Sequence, residues 1–270
     1  MTQNSEIPFG VNMWNPELFK GKKALIFGVA NERSLGWAIA QQLHLAGAQL
    51  GFTYMGEALE RRVRPLAESV GADLIESCNV ADDAQLDRVF EVAKEKWGGI
   101  DILIHSVAFA NREDLEGRFS QTSREGFRVA LDISAYSLVA MAKRAEPLME
   151  GRNGTILTLS YYGAEKVVPN YNVMGVAKAA LEASVRYLAY DLGSKKIRVN
   201  AISAGPVKTL AAAGIRDFRT MLAKAEEKTP LKENISADEV GSLAAFLCGP
   251  GGAHMTGCTL YVDSGAHIMG

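Results

Sequence analysis

The stretch "KALIFGVANERSLGWAIAQQLHLAG", Lys23–Gly47, contains three signals that together indicate a fold. Its first six residues are largely apolar, as in a buried strand, and Gly28 permits a tight turn. The residues that follow have helical periodicity as far as the closing glycine, and Ser34 is a candidate N-cap for that helix. A strand that passes through a glycine turn into a helix is typical of a βα unit in a parallel sheet.

The same alternation continues along the chain. Strand-length apolar segments occur at residues 49–54, 72–78, 100–106, 154–160, 197–203 and 259–263. Helix-length segments occur at 57–70, 83–97, about 126–150, about 172–192 and about 238–247. Apolar strands separated by helices indicate a parallel sheet covered on both faces. We therefore predict an α/β fold: one domain over residues 1–270, a Rossmann-like doubly wound parallel sheet of about seven strands with helices on both faces.

Composition narrows the class of protein. The chain has 270 residues, 48% hydrophobic and 22% charged, with a formal net charge of −2, which is ordinary for a globular protein. No block of like charge suggests a nucleic-acid partner, and no apolar run approaches a membrane span. Three cysteines without metal-ligand spacing predict no metal site and a reducing compartment. The expected location is the cytoplasm, or the plastid stroma if a transit peptide has been removed.

The first turn is a candidate cofactor site. In doubly wound sheets ligands bind at the carboxyl ends of the strands, and a helix N-terminus attracts a pyrophosphate. The turn lacks the full G-x-G-x-x-G pattern, so any glycine-bearing βα turn would look similar; its place at the head of a series of βα units favours a dinucleotide. The predicted cofactor contacts in the first four connections are Gly28, Ser34, Leu35, Met55, Asn79, Val80 and Val107.

The end of the second strand bears on the choice of nicotinamide cofactor. An acidic residue there holds the adenosine ribose of NAD, whereas basic residues accommodate a 2′-phosphate. Met55 occupies the turn, Glu57 follows it, and Arg61 and Arg62 come one or two helical turns later. The pattern favours NADH over NADPH, with NADPH left open.

The segment "SYYGAEKVVPNYNVMGVAK", Ser160 to Lys178, carries two tyrosines and a lysine after a central strand. Tyr171 and Lys178 are seven residues apart, so they share one helix face if the first turn includes Tyr171. An ammonium can hydrogen-bond a ribose diol, and a phenol beside it is a better proton donor or oxyanion stabiliser. Each residue alone is explained by packing or solvation. Together, at the carboxyl end of a strand, Tyr161, Tyr171 and Lys178 indicate a catalytic set.

These residues carry a resemblance to a known family. The chain resembles the short-chain dehydrogenase/reductase superfamily and, within it, the bacterial or cyanobacterial type of NADH-dependent enoyl-[acyl-carrier-protein] reductase, from about Leu18 to Gly265. "SYYGAEKVVPNYNVMGVAKAALEASVRYLA" and "RVNAISAGPVKTLAAAGI" match it most specifically. Ordinary superfamily members have a tyrosine four residues before the lysine and a serine seventeen before it. Here those positions hold Met174 and Tyr161, and the tyrosine stands at Tyr171, as in the enoyl reductases.

The displaced tyrosine fits enoyl chemistry. Hydride added to the β-carbon of an unsaturated thioester leaves charge on the distant thioester oxygen, so the stabilising hydroxyl must stand farther from the hydride path. We assign Tyr171 to the enolate, directly or through the ribose hydroxyl, and Lys178 to the ribose. Tyr161 shapes the substrate pocket or supports Tyr171. The final proton comes from Tyr171 or from water.

The resemblance also implies a substrate region. Residues of the segment after the sixth strand are expected to contact the nicotinamide half of the cofactor: Val207, Lys208, Thr209, Leu210 and Ala211. Residues 206–232 are interpreted as a lid over the acyl chain or as an amphipathic helix packed permanently on the body. The predicted substrate contacts are Ala110, Tyr161, Phe218 and Met221.

Partners follow from the same resemblance. Residues 208–232 contain six basic and three acidic side chains, which suits docking of an acidic acyl carrier protein or a merely solvated face. The family implies a homotetramer. Ala108 stands where many relatives have glycine, which puts sensitivity to diphenyl-ether inhibitors in doubt. The alternatives are a carbonyl reductase of the superfamily, against which the shifted Tyr171 counts, and a non-catalytic dinucleotide-sensing regulator.

Overall fold

The computed structural model describes residues 15–209, 222–223 and 226–269. These residues form a seven-stranded sheet whose strands are β1 Lys23–Phe27, β2 Gln49–Tyr54, β3 Leu74–Ser77, β4 Ile102–His105, β5 Thr155–Ser160, β6 Arg198–Ala204 and β7 Thr259–Val262. The order across the sheet is β3-β2-β1-β4-β5-β6-β7, and every neighbouring pair is parallel. The predicted doubly wound α/β fold is confirmed.

The described helices connect these strands. They are α1 Leu35–Leu45, α2 Glu57–Ser69, α3 Asp83–Trp97, α4 Arg112–Leu115, α5 Arg124–Leu131, α6 Ser137–Met149, α7 Asn172–Gly193 and α8 Ala237–Cys248. A π-helical turn, Asp132–Tyr136, separates α5 from α6. The sequence predicted one helix over about 126–150, and that prediction was wrong at this point: the extra backbone residue of a π turn does not alter the apolar periodicity enough to be read from it.

The core lies in two layers because successive side chains of a strand point to opposite faces. Leu25 and Phe27 of β1 face a cluster formed with α3, α6 and α7. Ala24 and Ile26 face the second cluster, formed with α1, α2 and α8. Since both faces of β1 are fully buried, the strand has to be apolar throughout, and this is the pattern that identified it in the sequence.

The topology fixes the position of a ligand site. The strand order reverses beside β1, whose neighbours are β2 on one side and β4 on the other. The connections after β1 and β4 therefore leave the sheet in opposite directions and open a crevice at its carboxyl edge. Within the described residues, no helix is long and apolar enough to cross a membrane.

Candidate active site

Gly28 makes the turn between β1 and α1 possible. Its φ is +93°, a conformation that side chains rarely adopt, and a Cβ built on it would overlap the carbonyl oxygen of Ser106. Ser106 directly follows β4. The absence of a side chain at Gly28 therefore lets the connection after β1 lie against the connection after β4. Gly36, in the first turn of α1, also lies close to Ser106, 3.2 Å from an added Cβ to the Ser106 Oγ.

The role expected for Ser34 needs a correction. Ser34 occupies the N-cap position of α1, but its side chain makes no capping hydrogen bond. Its Oγ instead accepts hydrogen bonds from the backbone N–H groups of Ala30 and Asn31, at 3.0 and 3.1 Å. Ser34 thus orders the turn rather than the helix end. Leu35 begins the helix directly after it, and the N-terminus of α1 is not capped by the serine hydroxyl.

The other predicted cofactor contacts lie along the carboxyl edge of the sheet. Met55 is 57% exposed after β2. After β3, Asn79 accepts a hydrogen bond from the backbone N–H of Ala81 at 3.1 Å, which orders that turn. Val80 and Val107 pack partly against the core. After β6, Val207 and Thr209 are partly exposed and Lys208 is exposed.

Part of the predicted site lies outside the described residues. This holds for Leu210 and Ala211 among the cofactor contacts and for Phe218 and Met221 among the substrate contacts. Of the predicted lid, 206–232, the structure describes the beginning and the end.

Tyr161 and Tyr171 are brought together. Their ring centroids are 4.9 Å apart with an interplanar angle of 68°, an edge-to-face contact. Tyr171 precedes the first residue of α7 and is 8% exposed. It forms a small cluster with Met174 and Ala177, against which Tyr161 and the predicted substrate contact Ala110 pack. The structure therefore brings Ala110, Tyr161 and Tyr171 together, although 51 positions separate the first two in the chain and 10 positions the last two.

Burial sets the protonation of the tyrosines. Removal from water raises the pKa of Tyr171 far above its ordinary value, and the neighbouring Tyr161 raises it further. Burial likewise raises the pKa of Tyr161. Both side chains consequently remain protonated near neutral pH, so Tyr171 holds the proton that a hydrogen-bond donor to an oxyanion needs.

Lys178 is buried, with 6% of its surface exposed, so it is not part of a solvated helix face. Its Nζ donates a hydrogen bond of 2.7 Å to the carbonyl oxygen of Leu159, near the end of β5. Burial lowers the pKa of the ammonium to about 8, partly opposed by the negative charge of Glu182. Lys178 is thus anchored at the carboxyl edge, and its proton is less tightly held than in water.

Two polar contacts near these residues were not predicted from the sequence. His105, at the end of β4, is fully buried, with ring nitrogens 2.8 Å from the hydroxyl oxygens of Thr158 and Ser137. Ser134, in the π turn, accepts from the N–H of Phe109 and donates to its carbonyl oxygen, at 2.9 and 3.1 Å. The sequence signal for His105 was a histidine at the end of an apolar strand. The contact of Ser134 with Phe109 depends on the π turn, which the apolar periodicity of the sequence did not indicate.

Glu182 was missed as well. It lies on α7 one turn after Lys178, is 8% exposed and accepts a hydrogen bond from the Ser160 hydroxyl. A carboxylate four residues after a lysine, within an apolar helix, was the available signal. Acidic side chains are rarely buried without a partner, and the Ser160 hydroxyl is a partner of this one.

The residues present fit a dinucleotide. The turn at Gly28 allows backbone to approach a ligand closely, α1 directs its N-terminus to the crevice, and Lys178 places an ammonium at the same edge. Together with the paired tyrosines, this fold and site define an oxidoreductase of the short-chain dehydrogenase/reductase class.

Comparisons with known proteins give the same class and a narrower group within it. A sequence model described as enoyl-(acyl carrier protein) reductase matches residues 28–267. The chain belongs to this family. The enoyl-[acyl-carrier-protein] reductase [NADH] of Aquifex aeolicus is 52% identical over 253 residues, which cover 94% of each chain.

Solved structures of relatives superpose closely. That of the Aquifex aeolicus enzyme has a TM-score of 0.91 and covers 94% of this chain and 99% of its own. The Bacillus cereus enzyme, solved with NADP⁺ and an indole naphthyridinone, is 52% identical with a TM-score of 0.91, covering 94% and 99%. The Anaplasma phagocytophilum enzyme, solved with NAD, is 48% identical with a TM-score of 0.90, covering 96% of each chain.

Proposed function

We propose that this protein reduces the trans-2 double bond of enoyl thioesters carried by acyl carrier protein, with NADH as cofactor, in the elongation cycle of type II fatty acid biosynthesis. The observation that carries the proposal is the contact of Tyr161 with the buried Tyr171, while Met174 occupies the position four residues before Lys178. The hydroxyl is therefore displaced from the place that serves carbonyl reduction. Family membership and the NADH-dependent relatives support the same reaction.

The cofactor supplies a hydride for the β-carbon of the substrate. Its adenosine and pyrophosphate half would be held by one group of residues: Gly28, Ser34, Leu35, Met55, Asn79 and Val80. The nicotinamide half would be held by a second group of residues: Val107, Lys178, Val207, Lys208, Thr209, Leu210 and Ala211. NADPH is the second candidate, since one relative was solved with NADP⁺.

The chain's own groups would stabilise the negative charge that develops on the thioester oxygen, and the α-carbon would then take its proton from Tyr171 or from water. The Tyr171 hydroxyl, kept protonated by burial, donates a hydrogen bond to the enolate oxygen of the thioester. Tyr161 holds the Tyr171 ring through the edge contact and borders the substrate. The Lys178 ammonium orients the ribose. Ala110, Phe218 and Met221 would contact the acyl chain, beneath a lid formed by about 206–232 within a single domain.

The partners are an acyl carrier protein and further copies of this chain. Exposed aromatic side chains support a homotetramer: Tyr136 is 57% exposed, Tyr187 75% and Tyr190 87%, on the π turn and α7, which pack together. Exposed aromatic patches of this kind mark protein interfaces. Sedimentation should give four chains per particle, and Tyr187→Glu with Tyr190→Glu should reduce that number. A monomeric wild-type protein would contradict the assembly.

Two thioesters test the reaction. NADH oxidation is measured with crotonyl- and acetoacetyl-thioesters of acyl carrier protein at equal concentration. We expect turnover of the first and little of the second. Turnover of acetoacetyl-thioester alone would identify a carbonyl reductase instead. Tight NADH binding without turnover of either would identify a regulator that senses the cofactor.

A further inference from the structure

The last two residues of β5 are both tied to α7 by buried polar side chains. Lys178 donates to the carbonyl oxygen of Leu159 at 2.7 Å. The hydroxyl of Ser160, the next residue, donates to Oε1 of Glu182. Lys178 and Glu182 are four residues apart on one helix, so they lie on the same face with their Cβ atoms about 5–6 Å apart. They are 6% and 8% exposed.

Few charged or titratable groups lie near the buried ammonium of Lys178 and the carboxylate of Glu182. Two other groups of α7 and its neighbours face Glu182: Arg186, whose guanidinium donates to the Glu182 carbonyl oxygen at 3.2 Å, and Glu165, after the 3-10 turn that follows β5. The hydroxyl of Tyr261, in β7, donates a hydrogen bond to Glu165. Tyr261 also lies close enough to Glu182 for the carboxylate charge to raise the pKa of its hydroxyl. His105, at the end of β4, is near enough to Lys178 that the ammonium disfavours protonation of the imidazole.

We propose that Glu182 is a positioning residue for the cofactor site: its buried carboxylate holds the Lys178 side chain in the ammonium form that donates to the ribose. The inference rests on the role proposed above for Lys178 and adds a residue to it. An ammonium in a low-dielectric site needs a nearby opposite charge, and Glu182 provides one from the adjacent turn of the same helix. Ser160 fixes the carboxylate in place.

The titration of the neighbouring groups agrees with this role. Burial lowers the pKa of Lys178 to about 8, and Glu182 counteracts the fall. Burial raises the pKa of Glu182, the Ser160 hydrogen bond lowers it, Glu165 raises it, and Arg186 and Lys178 lower it. Burial together with Lys178 lowers the pKa of His105 to about 3, so His105 stays neutral between pH 6 and 9. Lys178 is thus the group whose charge changes near pH 8.

NADH binding should depend on pH through the charge of Lys178. NADH affinity should be constant below pH 8 and should fall as the pH rises through about 8, because the ammonium loses its proton there. Without the Glu182 charge, the pKa of Lys178 drops further, by roughly one unit for the loss of one nearby opposite charge. The fall in affinity then begins near pH 7.

The test is the NADH dissociation constant as a function of pH, measured by fluorescence titration from pH 6 to 9. Glu182→Gln keeps an oxygen that can accept from Ser160 and removes the charge. It should bind NADH as the wild-type protein does at pH 6 and roughly eightfold more weakly at pH 8.5, the ratio expected for a pKa lower by one unit. Asp191→Asn, at an exposed acid of the same helix, should leave the profile unchanged.

Each other outcome overturns the inference. A uniform loss of affinity at every pH would show that Glu182 only supports the structure, and an unchanged profile would show that it does not act on Lys178. Glu182→Asp, which retains the charge, should keep the midpoint within about half a pH unit of the wild type. A midpoint lowered by a full unit in this variant contradicts the inference even if Glu182→Gln does not fold.

Lys178→Met separates this inference from the proposed function. It should bind NADH weakly at pH 6 and show no further loss up to pH 9. If instead it binds NADH like the wild type, the role of Lys178 itself is wrong. If it binds weakly while Glu182→Gln retains the wild-type profile, Lys178 keeps its role and only the assignment of Glu182 fails.

Discussion

The edge of one ring meets the face of the other where Tyr161 and Tyr171 pack, with centroids 4.9 Å apart. This contact bridges the break that Pro169 and Asn170 introduce between β5 and α7. Asn170 has a φ of +62°, a left-handed conformation that ends one segment and lets the next begin. The tyrosine before α7 thereby folds back onto the tyrosine after β5, and its hydroxyl is carried away from the position that Met174 fills.

Tyr171→Phe should lower kcat by about 100-fold with little change in NADH affinity, because it removes one hydrogen-bond donor from the developing oxyanion. The ring contact with Tyr161 is retained, so stability should change little. Steady-state kinetics with crotonyl-thioester and an NADH titration provide the two measurements. Tyr187→Phe, at a tyrosine that is 75% exposed, is the matched control and should keep its kcat. Equal kcat in both variants would remove Tyr171 from the reaction.

Gly163→Ala should disturb the same tyrosine indirectly. A Cβ on Gly163 would lie 2.5 Å from Cδ1 of Tyr171, a distance that real Cβ atoms do not adopt, so the ring must shift. We expect kcat to fall by roughly tenfold or more while NADH affinity is retained, since small displacements of a catalytic group are costly.

Gly193→Ala provides the control for this substitution. An added Cβ at Gly193, the last residue of α7, meets no atom within 4 Å. Its kcat should therefore equal that of the wild type. A normal kcat in Gly163→Ala would mean that the ring position of Tyr171 has no influence on turnover.

The sheet was predictable from the sequence because its strands are buried on both faces. The segment at 49–54 coincides with β2, and the helix predicted at 83–97 coincides with α3. α3 begins at a good N-cap, Asp82, which accepts hydrogen bonds from the N–H groups of Ala84 and Gln85. Such signals involve residues that are close together in the chain, so they can be recognised in the sequence.

The site was predictable only in part, because its polar contacts join distant residues. The spacing of Tyr171 and Lys178 indicated chemistry, but the hydrogen bond from Ser160 to Glu182 crosses 22 positions and that from Phe109 to Ser134 crosses 25. Ser34 had the residue type of a helix cap, yet its hydroxyl is engaged by the turn before it. Tertiary contacts of this kind depend on how elements pack, which residue spacing does not encode.

Gly28→Ala should destabilise the protein more than a glycine substitution at a similar backbone angle elsewhere. At Gly28 the added methyl meets both an unfavourable φ of +93° and the carbonyl of Ser106, whereas Gly71, with a φ of +67°, faces open space. We expect a loss of about 1 kcal/mol in the free energy of unfolding for Gly71→Ala and about 2–4 kcal/mol for Gly28→Ala. Urea unfolding measures both, and equal losses would show that the Ser106 contact is easily relieved.

His105 should make the protein less stable in mild acid. Burial lowers its pKa from 6.5 to about 3, with a further contribution from Lys178. Below pH 6.5 the His105 side chain therefore binds a proton in the unfolded chain but not in the folded protein. The free energy of unfolding consequently falls as the pH drops from 6.5 towards 3. From pH 7 to pH 5, this one group should remove about 2 kcal/mol.

The measurement compares urea unfolding at pH 7, 6 and 5 for the wild type and two variants. His105→Gln lacks the titrating ring, so it should lose about 2 kcal/mol less than the wild type over this range, whatever its stability at pH 7. His44→Gln, at an exposed histidine of α1, should lose as much as the wild type. If His105→Gln and the wild type lose the same amount, the buried ring accepts its proton in the folded protein. The hydroxyls of Thr158 and Ser137, which donate to the backbone carbonyl oxygens of His105 and Ile133, would then accept from both ring nitrogens.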